Sequence, residues 1–372
     1  SAAGCSWKAC LLRVIVALEV ATRTATAQEL AVVRAFASEQ EVAGLSASFE
    51  LWNNILPCQG DPWVPIDLLL VFSQSFNETP SAWDAAMQVR SSFENGTSWA
   101  QCFRSVFIES ANLSAQDDVY DGRGYAVRKD WVNGPNSVFR FILGSFFNES
   151  FPGSYDAFYF MEMDAVPVRP FWIEQFIAEA LVYPRAAIRG SRYKGDSWDG
   201  FESSLSDDLL LHINGNAVYN LQHPWLRWMY ERLLHEQDTE YNSVAFDLRM
   251  ATLSRLGREG ADPEVASAYA QHVESGEEPY QADSMLIGNF ANTLLNSSFD
   301  AGVWVRHGST SNIFENLNES QVTLAVASFD GSYEQFNDSL SGGDHPFRTV
   351  IVTSYGRQIM PNGTTEAVST AS

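Results

Sequence analysis

Short apolar runs alternate with longer amphipathic segments through the first half of the chain. The runs are rich in branched and aromatic residues, which is typical of strands, and lie at residues 11–20, 66–73, 105–110 and 157–163. The segments between them repeat apolar positions at helical spacing and lie at residues 29–41, 83–93 and 136–147. Strands and helices in this order are typical of a parallel sheet covered by helices on both faces. We therefore expect an α/β fold with a mostly parallel central sheet.

The second half of the chain continues this alternation less regularly. The pattern predicts two helices, at residues 172–181 and 224–235, and two strands, at residues 209–219 and 303–306. A polar loop is predicted at residues 187–200, and two further β-like runs occupy residues 322–329 and 348–355. We expect a large domain, a β-containing extension and a disordered tail, over residues 1–320, 321–361 and 362–372 respectively.

Composition and charge narrow the class of protein. The chain has 372 residues, 45% of them hydrophobic, which is enough for a large buried core. Its formal net charge of -23 argues against nucleic acid or an anionic membrane as a partner, because both require a basic surface. The best candidate for a membrane span, residues 10–21, contains Arg13 and Glu19, so we interpret it as a strand.

Sequons and cysteines indicate an oxidising, glycosylating compartment. Eight Asn-x-Ser/Thr sequons occur, at Asn77, Asn95, Asn112, Asn148, Asn296, Asn318, Asn337 and Asn362. We expect N-glycans at these positions and a location in the lumen of the secretory pathway (Golgi or ER) or outside the cell. The cysteines Cys5, Cys10, Cys58 and Cys102 predict two disulfides, with three possible pairings. Zinc ligation is the alternative, which the lack of a Cys-x-x-Cys pair and of a neighbouring histidine disfavours.

Two carboxylates end the most aromatic of the predicted strands. Residues 155–171 have the sequence YDAFYFMEMDAVPVRPF, in which Glu162 and Asp164 follow the aromatic run. Side chains two apart on a strand point to the same face, so the two acids are expected to converge. Carboxylates that close need a proton, hydrogen bonds or a cation. Mg²⁺ or Mn²⁺ with substrate phosphate oxygens in its shell meets that need; a strand end that emerges into solvent is the alternative.

The segment FYFMEMDAVPV resembles the metal-binding strand of the GT-A glycosyltransferases, which ends in an Asp-x-Asp motif. The order of elements up to His307 is similar to that fold as well. The resemblance implies a Rossmann-related GT-A fold, a Mn²⁺ or Mg²⁺ ion and a nucleotide-sugar donor. It also implies a nucleotide-binding half at about residues 10–165 and an acceptor half at about residues 166–320. Because Glu162 departs from the first Asp of the motif, Asp164 is the stronger candidate ligand.

Three further polar positions join the candidate site. His307 matches by position a third metal ligand of the family, and a structural histidine is the alternative. Asn214 and Asn216 flank Gly215, which we expect to be left-handed in a tight turn, and their amides suit sugar hydroxyls. An ordinary Asn-Gly hairpin turn is the alternative there. His212 competes with His307 as a ligand, but its apolar surroundings favour a core histidine.

Basic, acidic and polar residues elsewhere in the chain complete the candidate set. A basic cluster is expected at Arg189, Arg192 and Lys194. We expect it to stabilise a departing diphosphate, and the alternative is a loop that faces solvent. A reaction that inverts the anomeric centre needs a general base, and the candidates are Asp199, Asp207, Asp208 and Asp247. The topology of the family places nucleotide contacts at Thr22, Arg23, Thr24, Arg128, Lys129 and Asn136.

Other classes of protein fit the sequence less well. No Gly-x-Gly-x-x-Gly follows the first predicted strand, and no Gly-x-Ser-x-Gly is present, which disfavours a dinucleotide enzyme and an α/β-hydrolase. We expect a metal-dependent glycosyltransferase that moves a sugar from a nucleotide-sugar donor to a glycan or glycoprotein hydroxyl. The alternative is a secreted glycoprotein that keeps this scaffold, without turnover, as a binding or structural component of an extracellular assembly.

Overall fold

The chain divides into two units, of which the first contains every described candidate site residue. The structure is a computed structural model that describes residues 28–120, 132–183, 186–192, 212–235, 244–289, 303–307, 323–328 and 349–354. The first unit spans Ser1–Gly308 and the second spans Ser309–Ser372. The predicted domain boundaries at residues 320 and 361 stay predictions.

Strands and helices alternate along the first unit. Its described strands are β1 (Leu30–Phe36), β2 (Ile66–Phe72), β3 (Ser105–Ser110), β4 (Ala157–Phe160), β5 (Ala165–Pro167), β6 (Ile188–Arg189), β7 (Val218–Asn220), β8 (Tyr280–Gln281), β9 (Ile287–Asn289) and β10 (Val305–His307). Its described helices are α1 (Glu39–Asn54), α2 (Pro80–Glu94), α3 (Asn133–Phe147), α4 (Trp172–Val182), α5 (Pro224–His235), α6 (Phe246–Glu259) and α7 (Pro263–His272). A short 3₁₀ turn, Ala100–Cys102, precedes β3.

Seven of the described strands form one sheet, in the order β3-β2-β1-β4-β7-β6-β8. The strands β3, β2, β1 and β4 run parallel, and β7 is antiparallel to both of its neighbours. A small second sheet has the order β5-β10-β9, with β10 antiparallel to β5 and parallel to β9. A mostly parallel central sheet flanked by helices confirms the predicted fold class.

The interior strand β1, which pairs with β2 and β4, is buried on both faces. Leu30 and Val32 pack into one core with α1, α2 and α4, whereas Ala31 and Val33 pack into another with α3, α5, α6 and α7. This alternation is the reason why helices cover both faces of the sheet. The carboxyl ends of β1 to β4 therefore open at one edge between the helical layers, which is where ligands bind in such sheets.

Helix α1 begins directly after β1 because Ser38 caps it. The Ser38 hydroxyl accepts the Glu41 N–H at 3.2 Å, and the Glu41 carboxylate accepts the N–H groups of Ser38 and Ala37 at 3.1 and 2.7 Å. The predicted helix at residues 29–41 is therefore wrong, since its first part is β1. A strand buried on both faces lacks the polar alternation that would distinguish it from a buried helix.

Most other predicted elements are confirmed. Strands 66–73 and 105–110 and helices 83–93, 136–147, 172–181 and 224–235 match the structure within a few residues. The predicted strand at 303–306 is confirmed in part, because β10 begins at Val305. The loop at 187–200 is wrong at its start, where β6 forms. Of the strand predicted at 209–219, residues 209–211 lie outside the described residues, and the prediction is wrong over residues 212–217, since β7 begins at Val218. The predicted strand at residues 11–20 lies outside the described residues.

The second unit has two described strands. β11 (Thr323–Ser328) pairs in parallel with β12 (Thr349–Ser354), in register along six residue pairs. The β-like runs predicted at residues 322–329 and 348–355 are therefore confirmed. The tail predicted over residues 362–372 lies outside the described residues.

Several features relate to the predicted compartment. Cys58 and Cys102 form a disulfide between the segment after α1 and the 3₁₀ turn, while Cys5 and Cys10 lie outside the described residues. The described sequon asparagines are all exposed: Asn77, Asn95, Asn112 and Asn148. The other four, Asn296, Asn318, Asn337 and Asn362, are not among the described residues. Within the described chain, no helix combines the length and hydropathy needed to cross a membrane.

Candidate metal centre

Glu162 and Asp164 lie on a tight turn at the carboxyl end of β4. The strand ends at Phe160, and the Ala165 N–H donates to the Glu162 carbonyl at 3.0 Å, which closes a β-turn over residues 162–165. The predicted strand at 157–163 is therefore too long, and the acids do not share a strand face. They still converge, because the turn directs both toward the same neighbour, His307.

His307 reaches the two acids from the second sheet. It lies on β10, directly opposite Ala165 in the antiparallel pairing with β5. Its Nε2 is 3.2 Å from Asp164 Oδ2 and 3.5 Å from Glu162 Oε2. One ligand atom from each of the three residues lies within 4.8 Å of the other two. The pairing of β5 with β10 thus assembles the cluster that the sequence predicted.

Asn289 on β9 sets the orientation of the imidazole. His307 Nδ1 is 3.1 Å from Asn289 Oδ1, and both side chains are buried. An amide oxygen only accepts hydrogen bonds, so Nδ1 carries a proton and donates it. Nε2 therefore faces the two carboxylates, as second-sphere partners commonly arrange for histidine ligands.

Burial and charge give the three groups different proton affinities. Burial raises the pKa of Glu162 to about 7, although the charge of His307 opposes it. Burial also acts to raise the pKa of Asp164, but the charge and hydrogen bond of His307 outweigh it and hold that pKa below its ordinary value. Burial acts to lower the pKa of His307, yet the charges of Asp164 and Glu162 raise it to about 9. A metal ion at this place would have to displace the Nε2 proton.

Asn216 and Asn214 hold Glu162 from the opposite side. Asn216 is fully buried; its Oδ1 accepts the Glu162 N–H at 2.7 Å, and its Nδ2 donates to Glu162 Oε2 at 2.6 Å and to Asn214 Oδ1 at 2.7 Å. The expected left-handed Gly215 is wrong, because its φ is not positive. A glycine is required there for space: a Cβ would lie 2.8 Å from Phe246 Cζ and 3.4 Å from Glu162 Oε1.

Asp247, at the start of α6, supports the segment at residues 214–216. Its Oδ2 accepts the Gly215 N–H at 3.1 Å and its Oδ1 accepts the Leu248 N–H at 2.7 Å. The Nε2 atom of His212 is 3.8 Å from Asp247 Oδ2, so His212 lies beside Asp247 and is not one of the three clustered residues. The role of Asp247 as a general base stays a prediction.

The remaining predicted residues divide between described and undescribed segments. Asn136 is buried and fixes the approach to α6, with bonds to the Val244 carbonyl at 2.9 Å and the Phe246 N–H at 2.8 Å. Arg192 is exposed and forms a β-bridge with Ile213, next to the Asn214 turn. Outside the described residues lie Thr22, Arg23, Thr24, Arg128, Lys129, Lys194, Asp199, Asp207 and Asp208.

Arg189 does not belong to an exposed basic loop. It lies on β6 and is buried, with its Nε 2.6 Å from the Glu179 carboxylate. Its guanidinium also lies over the Tyr183 ring, 3.5 Å from the centroid. The prediction of a basic cluster is therefore wrong for Arg189, because its side chain forms a buried ion pair with Glu179.

A pocket opens at the same edge of the sheet as the cluster. It has a volume of about 830 Å³ and is lined by residues that follow β1, β2 and β3, among them Ser38, Gln74 and Asp118. Gln74 donates to the Asp118 carboxylate across its wall. None of the three clustered residues lines this pocket, which opens after β1, the parallel neighbour of β4.

The sequence patterns did not single out Arg34 and Asn289, which contact the cluster or the turn that carries it. Arg34 is buried in β1 and donates to carbonyls of the turn at residues 162–165. A charged residue inside the run LAVVRAF was a signal that could have identified it, since a buried cation needs partners. Asn289 has no comparable signal, because its role depends on the pairing of β9 with β10.

Comparisons with known proteins find similarity in structure alone. No protein-family model and no curated protein matches the chain. Mouse xyloside xylosyltransferase 1 is 11% identical with a TM-score of 0.43, over 76% of this chain and 98% of that one. The galactosyltransferase LgtC, in complex with donor and acceptor sugar analogues, is 11% identical with a TM-score of 0.37, over 75% and 86%. The bifunctional glycosyltransferase WbbM is 9% identical with a TM-score of 0.36, over 77% and 46%.

These structural neighbours are glycosyltransferases, the class whose motif the segment around Glu162 and Asp164 resembles. Because each TM-score is below 0.5, we take no functional conclusion from the likeness itself. The chemistry of the cluster has to carry that conclusion.

Proposed function

We propose that the chain is a metal-dependent glycosyltransferase that moves a sugar from a nucleotide-sugar donor to a hydroxyl of a glycan or glycoprotein. The observation that carries this proposal is the cluster of Glu162, Asp164 and His307 at the carboxyl edge of a parallel sheet. Ligands bind at that edge in sheets of this type. The two carboxylates keep access to solvent, since the Glu162 and Asp164 side chains are 32% and 39% exposed, whereas His307 is buried behind them.

A divalent cation fits this donor set. Two carboxylates and one imidazole have ligand atoms within 4.8 Å of each other, so all three can reach one ion. Mixed oxygen and nitrogen ligands suit Mn²⁺ better than Mg²⁺, which prefers oxygen alone. When bound, such an ion supplies Lewis-acid stabilisation of the charge that develops on the leaving diphosphate. Asp164 and His307 would be its firmest ligands, with Glu162 held in place by Asn216.

The nucleoside half of the donor fits the neighbouring pocket. Its volume of about 830 Å³ lies in the range of small-molecule sites, and Glu39, Asp84 and Asp118 line it. No Lys or Arg is among the described residues that line it, so it offers acceptors to ribose and base N–H and O–H groups but no cationic side chain to phosphates. The diphosphate would extend along the sheet edge toward Asp164.

The chain's own residues would orient the donor sugar. Asn214 and Asn216 lie beside Glu162, and the amide of Asn214 is the more available of the two because Asn216 is buried. Asp247 holds their turn through the Gly215 N–H. If the reaction inverts the anomeric centre, Asp247 is the candidate base closest to the cluster among the described residues. Arg192, next to this turn, is the candidate cation for the diphosphate.

A location in the secretory pathway, in the Golgi or ER lumen, or outside the cell completes the proposal. The disulfide between Cys58 and Cys102 requires an oxidising compartment for its formation. Asn77, Asn95, Asn112 and Asn148 are exposed, as glycan acceptors must be. Mass spectrometry of the secreted protein before and after removal of N-glycans tests this part.

The decisive experiment combines metal binding with donor hydrolysis. Wild type and Asp164→Asn are titrated with Mn²⁺ and then incubated with Mn²⁺ and a panel of UDP-, GDP- and CMP-sugars. We expect Mn²⁺ to bind wild type, one donor class to be hydrolysed, and both properties to fall at least about 100-fold in Asp164→Asn. Asp61→Asn, at an exposed loop position, is the matched control and should behave as wild type. A wild-type protein that binds neither Mn²⁺ nor any nucleotide would refute the proposal.

One observation favours a second function, that of a non-catalytic scaffold in an extracellular assembly. His307 pairs with both acids at 3.2 and 3.5 Å, so the cluster is compensated electrostatically without a metal. In that case Mn²⁺ with UDP or GDP should leave the melting temperature unchanged. A metal-dependent rise of a few degrees supports the enzyme instead.

A further inference from the structure

Arg34 is a cation in the middle of the buried sheet. It lies on β1 in the run LAVVRAF, between apolar neighbours, and is 1% exposed. Across the described residues, no carboxylate lies within salt-bridge distance of it. Burial lowers the pKa of Arg34 to about 10, although the charges of Tyr159, Asp164 and Glu41 oppose that shift. An arginine in such a place requires hydrogen-bond acceptors that hold it there.

The acceptors are backbone carbonyls of the turn that carries the two acids. Arg34 Nη1 donates to the carbonyls of Glu162 and Ala165, both at 3.2 Å, and Nη2 lies 3.5 Å from the Met163 carbonyl. The first and the last residue of the β-turn are therefore attached to the same nitrogen. A planar guanidinium spans such a set of acceptors, whereas the compact ammonium of lysine does not.

Aromatic packing fixes the other side of the guanidinium. Its Cζ atom is 5.7 Å from the centroid of the Trp52 ring, which α1 buries in the core. Trp52 in turn packs edge-on against Trp172 of α4, with ring centroids 5.1 Å apart. Arg34 thus lies between the aromatic layer of Trp52 and Trp172 and the backbone of the turn.

We propose that Arg34 is a positioning residue that holds the turn at residues 162–165 in the shape that places Glu162 and Asp164 opposite His307. Its effect on metal affinity rests on the proposed function, whereas its effect on the shape of the turn does not. The Arg34 guanidinium acts through the carbonyls of Glu162, Met163 and Ala165, and its proposed role is not that of a ligand to metal or substrate. The sequence motif is therefore incomplete without a residue more than a hundred positions earlier in the chain.

The test compares Arg34→Lys with Arg104→Lys. Arg104 also anchors the sheet, through Asp67 and Glu29, but it lies at the opposite end of the strands. Hydrogen exchange of the metal-free proteins is followed in peptides that cover residues 161–168. We expect exchange there to accelerate at least about tenfold in Arg34→Lys and to match wild type in Arg104→Lys. The Kd for Mn²⁺ should rise about tenfold in Arg34→Lys alone, as for other residues that orient metal ligands.

Each outcome decides between the two proposals. A folded Arg34→Lys with wild-type exchange over residues 161–168 overturns the positioning role, whatever its metal affinity. A wild type that binds no Mn²⁺ overturns the glycosyltransferase proposal, while the exchange data still judge Arg34. If Arg34→Lys does not fold, NMR of arginine-labelled wild type replaces it. Hindered rotation of the Arg34 Nη groups supports the role, and freely averaged Nη signals overturn it.

Discussion

Replacing Asn216 by alanine should weaken both the fold and the metal centre. The side chain makes three hydrogen bonds, at 2.7, 2.6 and 2.7 Å, which connect it to the Glu162 N–H, to the Glu162 carboxylate and to Asn214 Oδ1. Asn216 is fully buried, so water does not replace these partners easily. A buried hydrogen bond contributes about 1 kcal/mol net, which sums to about 3 kcal/mol of unfolding free energy.

That loss has a measurable size. For a chain of this length, about 3 kcal/mol corresponds to a fall of about 4 °C in the melting temperature. Because Glu162 also loses its orientation, the Kd for Mn²⁺ should rise by roughly 10- to 100-fold. Urea denaturation followed by tryptophan fluorescence measures the first effect, and isothermal titration with Mn²⁺ measures the second.

Asn53→Ala is the control for Asn216→Ala. Asn53→Ala removes the same side chain from an exposed position on α1 and should change the unfolding free energy by less than about 0.5 kcal/mol. If Asn216→Ala unfolds within that same margin of wild type and binds Mn²⁺ equally well, the hydrogen-bond network around Glu162 does not support the site as described.

Three further predictions address the imidazole, the disulfide and acid sensitivity. Asn289→Ala should raise the Kd for Mn²⁺ about tenfold, because the His307 imidazole, a proposed ligand, loses its Nδ1 partner. Asn289→Asp keeps an acceptor and should stay near wild type in calorimetry. Replacing Cys58 and Cys102 together by alanine should lower the unfolding free energy by about 4 kcal/mol, because the bridge closes a loop with a sequence separation of 44. Urea unfolding measures this loss, and an unchanged midpoint would contradict it. The hydrogen bond from Arg104 lowers the pKa of Glu29, so its stabilising effect is present above the unfolded pKa of about 4.5 and is lost as pH falls through the folded value. The melting temperatures of wild type and Glu29→Gln should therefore differ at pH 7 and converge near pH 3; a constant difference would argue against this ion pair.

The parts of the fold that local patterns determine were predictable. Residues 66–73 and 105–110 combine apolar runs with clear boundaries, and both became strands of the parallel sheet. The residues around Leu30 to Phe36 were not predictable in the same way, because a strand covered on both faces has no polar period. Their misassignment as helix also concealed Arg34, whose burial becomes evident only once the run is placed in the sheet.

The residues of the candidate site that belong to a local sequence motif were predictable, whereas those whose role depends on strand pairing were not. An acid directly after an aromatic run requires compensation, and this requirement pointed to Glu162 and Asp164 before any coordinates. The contribution of Asn289 follows from the register of β9 against β10, which no local pattern contains. Gly215 shows a further limit: the residue type was noticed, but the reason for it is the nearby ring of Phe246 rather than backbone conformation.

The position of His307 in the chain has a consequence for biosynthesis. It lies one residue before the end of the first unit, Ser1–Gly308, whereas its partner Asp164 lies in the middle of that unit. During synthesis the central strands emerge long before β10, so a nascent or truncated chain that stops before residue 303 exposes two acids without their imidazole. If the cluster binds a metal ion as proposed, only chains that contain residues 303–307 acquire the complete set of three ligands.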